Sequence, residues 1–201
     1  IRSGNIGSVK IGQIVGEDKF KSFLSKVDIL QKTNFDIEEI GTPIKFNWGK
    51  CPLATASFGH GITTTLLQLA KAYSIIANGG YNIQPTLIKE KKKFKKEKIL
   101  NQEVSKKILP ILRKIVTTKE GTASLANVSG YEIGGKTGTA QKSVGGVYTK
   151  KKINSFISVF PTSNPKFVLA IMLDEPKTNE DYIYHYRDGS NIKYKGTPYN
   201  T

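Results

Sequence analysis

Two short clusters in this chain bring hydroxyl, amide and ammonium groups together at spacings that suit group-transfer chemistry. The denser is Gly134-Gly135-Lys136-Thr137-Gly138-Thr139-Ala140-Gln141, with one cation, two β-branched hydroxyls and three glycines in eight residues. Tyr131 and Ile133 precede it and Gly145-Gly146 follows, a pattern that predicts a strand entering a hairpin. Side chains on a pleated strand alternate faces, so Lys136 and Gly138 share one face while Thr137 and Thr139 share the other. The lysine then projects with a gap beside it, two hydroxyls line the opposite face, and the glycines let a second backbone lie close. The other cluster is Ser3-Gly4-Asn5, a hydroxyl and an amide on one side of an extended turn but on different faces of a helix. Its plain alternative is that either residue caps the helix that follows.

The dense cluster also satisfies G-x-x-x-x-G-K-[ST], from Gly130 to Thr137, the phosphate-loop signature. That motif needs a buried strand before it and a helix directly after, so that backbone N–H groups cradle phosphate. Ala126-Asn127-Val128-Ser129 is a poor buried strand, and Gly138, Gly145 and Gly146 do not continue as a helix. A Gly-rich hairpin strand without chemistry is the default for this stretch taken alone. The formal net charge of +15 rests on 31 Lys and Arg, only three of them Arg (Arg2, Arg113, Arg187). Nucleic-acid phosphate would use such charge, but bidentate recognition favours arginine, and dispersed lysines are ordinarily solvated surface. No nucleic-acid partner is expected. The densest run, from Lys89 to Lys98, is broken by two glutamates and predicts a solvated loop or hairpin. A single cysteine, Cys51, excludes an internal disulfide, and two histidines, His60 and His185, cannot build a metal cluster. Neither metal nor cofactor is expected.

The elements that would position these clusters follow from periodicity. Ile6, Val9 and Ile14 mark a first helix that Gly16 ends, and Phe20, Phe23, Leu24 and Val27 mark an amphipathic second helix from about Glu17. Residues 31–56 read as irregular, with a Gly41-Thr42-Pro43 turn and Trp48. Ser57-Phe58-Gly59-His60-Gly61 is a loop feeding a helix from about Thr64 to Asn78, whose apolar face is Leu66, Leu69, Ala70, Tyr73, Ile76 and Ala77, with Gly79-Gly80 as its stop. Asn101 caps a helix reaching about Lys119, burying Val104, Ile108, Leu112, Ile115 and Val116; Pro110 should kink or restart it. After the dense strand, runs at 153–160 and 166–173 flank Pro161-Thr162-Ser163-Asn164-Pro165. Helices followed by an antiparallel meander indicate an α+β fold. The aromatic segment from Tyr182 to Arg187 takes no assignment.

In order and separation, three features resemble the serine penicillin-recognising enzymes. Ser3-Gly4-Asn5 resembles their S-x-N motif and Lys136-Thr137-Gly138 their K-T-G motif. Ser57-Phe58-Gly59-His60-Gly61-Ile62-Thr63-Thr64-Thr65 and the stretch Ile133–Gln141 look like class B penicillin-binding proteins, among which the division-type peptidoglycan D,D-transpeptidase is most similar. The resemblance covers essentially the whole chain. It implies a penicillin-binding protein/β-lactamase-like transpeptidase fold. It also implies that Ser3 relays a proton, that Asn5 hydrogen-bonds the substrate amide and the catalytic lysine, and that Lys136 faces Ser3 across the cleft. Thr137 and Thr139, with Gly138 between them, would bind the terminal carboxylate of D-Ala-D-Ala or of a β-lactam. The Thr139 N–H would form half of an oxyanion hole.

One part of the pattern is out of place. These enzymes attack with the serine of S-x-x-K, at the start of a helix upstream of S-x-N. The S-x-x-K at Ser163-Asn164-Pro165-Lys166 lies after the K-T-G strand, in a turn that Pro165 keeps from being helical. Residues 1–201 are therefore read as a partial transpeptidase domain whose nucleophile lies before Ile1, whose C-terminal end is absent, and which cannot turn over alone. The resemblance further implies a membrane anchor before Ile1, a periplasmic location, peptidoglycan stem peptides and β-lactams as ligands, and division or glycosyltransferase proteins as partners. A non-catalytic penicillin-binding-like module, or a carboxypeptidase or β-lactamase relative, would carry the same motifs over this span.

Overall fold

A computed structural model describes residues 1–38, 41–89, 97–144, 147–177, 181, 183–185 and 193–195. The helices are α1 (Asn5–Val15), α2 (Glu17–Lys26), α3 (Lys50–Ala56), α4 (Leu66–Ala77) and α5 (Gln102–Thr117), followed by a 3-10 turn at Ser124–Ala126. The strands are β1 (Gly134–Val144), β2 (Val147–Phe160), β3 (Phe167–Asp174), β4 (Ile183–His185) and β5 (Lys193–Lys195). β1-β2-β3 form one antiparallel sheet, and β4 pairs antiparallel with β5. The α+β order is the one expected. Two compact units result: Ile1–Thr137 with Ser155–Met172, and Gly138–Asn154 with Leu173–Thr201.

The first unit contains all five helices. Gly16, at φ 80°, closes α1 and opens α2. The expected apolar face of α1 is not its buried one. Only Gly12 is buried, and Ile6 and Ile14 are exposed. The helix instead meets α3 through its smallest residue, since a Cβ on Gly12 would come within 1.9 Å of Ser57 Oγ. α3 corrects the irregular assignment of 31–56. It is a seven-residue helix with Pro52 in its first turn, where a missing N–H costs nothing. α4 starts in a capping box, Thr65 accepting from the Gln68 N–H while the Gln68 side chain accepts from the Thr65 N–H. Its most buried stripe is Gln68, Lys71 and Ile75, not the purely apolar face read from the sequence. α5 starts at Asn101, whose Oδ1 accepts from the Glu103 N–H, and runs through Pro110 without a break. Its core residues are Leu112, Ile115 and Val116, while Val104 is exposed.

Two apolar clusters flank α4. Leu112, Ile115, Val116, Ala123 and Val159 form one, with Tyr73 and Ala77 against it. Burial pushes the Tyr73 phenol up to about 12. Val27, Ile29 and Ile75 form the other, with Leu69 and Ala72. Under the second cluster, Gln68 Nε2 donates to the carbonyls of Asp28 and Gln31 at 2.8 and 2.7 Å. Lys71 pairs with the Asp28 carboxylate in the same place. A buried polar stripe is tolerated here because the turn after α2 supplies its partners.

In the second unit, Lys142 Nζ lies 2.9 Å from Asp174 Oδ1 and 2.8 Å from Glu175 Oε1, and Lys151 Nζ lies 2.9 Å from Glu175 Oε2. These contacts hold Lys142 above and Glu175 below their ordinary values. In the first unit, Lys98 at the end of the lysine-rich run forms an antiparallel bridge with Tyr81. Residues 90–96 of that run, the Gly145-Gly146 turn, Tyr182, Arg187 and 196–201 lie outside the described residues.

Candidate active site

The dense cluster is a strand, and the two glycines before the lysine explain where it can lie. A Cβ on Gly134 would approach the backbone of α5, 2.9 Å from Arg113 N and 3.0 Å from Leu112 C. One on Gly135 would approach the neighbouring strand, 2.7 Å from Ile157 O and 2.6 Å from Phe156 Cζ. Consecutive glycines thus allow close packing on α5 at one residue and on β2 at the next. Arg113 adds a tether, its Nη1 donating to Ile133 O at 2.8 Å. β1 therefore enters from the core helix with little freedom. The phosphate-loop reading fails on the same geometry: strand, not helix, follows Thr137.

Lys136 is half-buried, and desolvation holds its ammonium below the ordinary lysine range. Its Nζ donates to Thr137 O at 2.6 Å and lies 3.4 Å from Thr137 Oγ1. Thr137 Oγ1 donates to Thr122 Oγ1 at 3.0 Å. Lys136, Thr137 and Thr122 thus form one chain of polar groups at the head of the strand. Gly138 and Thr139 continue β1, with Thr139 exposed.

Ser3 and Asn5 sit at the start of α1, both exposed. Gly4 is the helix N-cap, and no side chain caps α1, so the capping alternative for Ser3 and Asn5 is overturned. Ser3 instead adopts φ 58°, a left-handed conformation uncommon for a residue with a Cβ. Among the described residues no hydrogen bond joins Ser3 or Asn5 to Lys136. The two motifs meet indirectly: Arg2 Nη2 lies 2.9 Å from Glu120 Oε1, two residues before Thr122.

The other conspicuous serines are engaged elsewhere. Ser57 Oγ donates to Leu53 O at 2.7 Å at the end of α3. Ser163 lies in the β2–β3 turn, its hydroxyl on the Glu132 carboxylate and its N–H 3.2 Å from Glu132 Oε2, contacts that lower the Glu132 pKa. His60 is a loop residue whose ring stands 6.0 Å from that of Phe58. Thr122, Arg113 and Glu120 escaped sequence reasoning. The one available signal was Glu120-Gly121-Thr122 directly after a predicted helix. Among the described residues no group of acidic, histidine or cysteine side chains could hold a metal.

A family model described as the penicillin binding protein transpeptidase domain matches residues 1–190. The chain is 36% identical over 191 residues to Stage V sporulation protein D of Bacillus subtilis, covering 87% of this chain and 29% of that protein. It is 31% identical over 185 residues to the probable peptidoglycan D,D-transpeptidase PenA of Neisseria flavescens, covering 90% of this chain and 46% of that protein. Among solved structures it is similar to the apo transpeptidase domain of Burkholderia pseudomallei penicillin-binding protein 3, with a TM-score of 0.80 and 30% identity over 86% of this chain and 54% of that one. It also matches penicillin-binding protein 3 of Mycobacterium tuberculosis complexed with aztreonam, with a TM-score of 0.81 and 28% identity over 87% of this chain and 44% of that one. The chain thus spans less than half the length of these curated relatives.

Proposed function

The chain belongs to the penicillin-binding protein transpeptidase family, and from that premise we propose that it is part of a peptidoglycan D,D-transpeptidase that cross-links cell-wall peptides during division. The observation that carries this reading is Lys136 at the head of β1: a partly desolvated cation, followed by Thr137, Gly138 and Thr139, on a strand that two close-packed glycines hold to the core. A carboxylate-ended peptide or a β-lactam suits such a strand, because the cation and the hydroxyls together favour an anion. Ser3 relays a proton, Asn5 holds the substrate amide, and the Thr139 N–H contributes to the oxyanion hole. The attacking serine is supplied by an S-x-x-K segment upstream of Ile1. The substrate is the D-Ala-D-Ala stem peptide, and division or glycosyltransferase proteins are the partners. The enzyme works on the periplasmic side of the membrane, held by an N-terminal anchor. Among the described residues of this chain no helix is long and apolar enough to cross a membrane.

The test uses the full-length protein and a fluorescent penicillin. Lys136→Ala removes the fixed cation and should slow covalent labelling by roughly a hundredfold or more, the scale of losing one electrostatic stabiliser of an acyl-transfer transition state. Wild-type labelling rates in that variant would sink the assignment.

A further inference from the structure

Resting on the acyl-transfer reading above, we propose that the turn Thr118–Ala123 is a positioning clip for the two motifs: Glu120 holds Arg2, and with it the Ser3 turn, while Thr122 holds Thr137, and with it Lys136. The contact to Arg2 is a two-pronged fork, Nη2 to Oε1 at 2.9 Å and Nε to Oε2 at 3.3 Å. Such bidentate pairs fix orientation as well as distance. The contact to Thr137 is the hydroxyl pair at 3.0 Å.

The turn itself is rigidly mounted. The Thr118 N–H and hydroxyl both donate to Lys114 O, at 3.0 and 2.7 Å. The Gly121 N–H donates to Thr118 O at 3.0 Å, and the Ala123 N–H to Ile115 O at 3.3 Å. Gly121 is pressed so closely on α5 that a Cβ there would lie 2.0 Å from Ile115 O. Ile115 and Val116, at the base of the turn, are core residues 4% and 1% exposed. A part this firmly attached to the core can set the position of whatever it grips.

The Ser3 turn needs such a grip. A serine at φ 58° holds that conformation only when its surroundings over-determine it. On one side α1 begins at Asn5; on the other, the Arg2 fork is the tether. Because the Arg2 and Glu120 side chains are 75% and 63% exposed, the pair contributes little to stability. Its effect lies in where Ser3 sits relative to Lys136, since small misplacements of reacting groups slow reactions steeply.

These features separate a positioning role from a structural one. In the full-length protein, Glu120→Gln and Thr122→Val should each slow acylation by a fluorescent penicillin by about tenfold or more, with the melting temperature unchanged. Exchanging the charges, Arg2→Glu with Glu120→Arg, should bring the rate back to within about threefold of wild type, because the fork is re-formed in reverse. If the wild-type protein labels and Glu120→Gln labels equally fast, or if the exchanged pair is as slow as Glu120→Gln, the clip is overturned while the acyl-transfer reading stands. Failure of the wild-type protein itself to label would overturn that reading and the clip together.

Discussion

Gly135 shows how a single atom can control the candidate site. It carries no chemistry, yet a Cβ there would meet Ile157 O at 2.7 Å and Phe156 Cζ at 2.6 Å. The phenylalanine ring can turn aside; the strand carbonyl cannot, so β1 would have to move. Gly135→Ala should therefore lose about 1–3 kcal/mol through overpacking and displace Lys136 enough to slow penicillin acylation of the full-length protein about tenfold. Gly7→Ala is the control, because nothing lies within 4 Å of a Cβ there. That change should leave acylation intact and match or slightly raise stability, as alanine favours helix over glycine. Wild-type stability and acylation in Gly135→Ala would show that the glycine merely fills space. The local motifs around this position, Lys136-Thr137-Gly138 and Ser3-Gly4-Asn5, were legible because their meaning depends on neighbours a few residues away. Thr122 and the Arg2–Glu120 fork were not: the fork joins residues 118 apart, a relation that exists only after folding.

Among the elements, helix α4 departs most from its sequence. Its approximate boundaries and its Gly79-Gly80 stop were readable from local chemistry, and the capping box was not read. Which stripe it buries was not, because the partners of Gln68 and Lys71 come from the turn after α2. The short α3 was missed for a related reason: seven residues with a proline in the first turn give too little periodicity to register. β3, by contrast, follows its apolar run, whereas β2 begins at Val147, ahead of the run read at 153–160. The Lys71–Asp28 pair makes the buried stripe testable, since the side chains are 3% and 17% exposed. Removing one partner strands a poorly hydrated charge. Lys71→Met should destabilise the domain by about 3–5 kcal/mol, lowering its melting temperature by roughly 10 °C. Adding Asp28→Asn removes the orphaned charge, and asparagine tolerates the φ of 60° at that position. The double variant should recover a large part of the loss. Equal melting temperatures for the single and double variants would mean that the pair is replaceable packing.

For the whole molecule, the question is whether these 201 residues contain a serine that can be acylated. Acyl transfer needs a hydroxyl beside a base and an oxyanion site ready to receive the developing charge. Ser57 donates its proton to Leu53 O at 2.7 Å, and its side chain faces Gly12 of α1. Ser163 is held in the β2–β3 turn by Glu132, whose lowered pKa makes it a poor base near neutrality. Lys166, three residues on, is not one helical turn away, because the segment between β2 and β3 is not helical. Ser3 is exposed in a left-handed turn, with no hydrogen bond to a lysine or carboxylate among the described residues. None of the three is placed as an activated nucleophile. The 201-residue chain should therefore form no stable covalent adduct with a fluorescent penicillin, judged by intact-mass measurement after long incubation, whereas the full-length protein should gain the mass of one penicillin. An adduct on the 201-residue chain that maps to Ser3, Ser57 or Ser163 would show that the nucleophile is already present, and Ser163, which fits an S-x-x-K frame with Lys166, would be the first place to look.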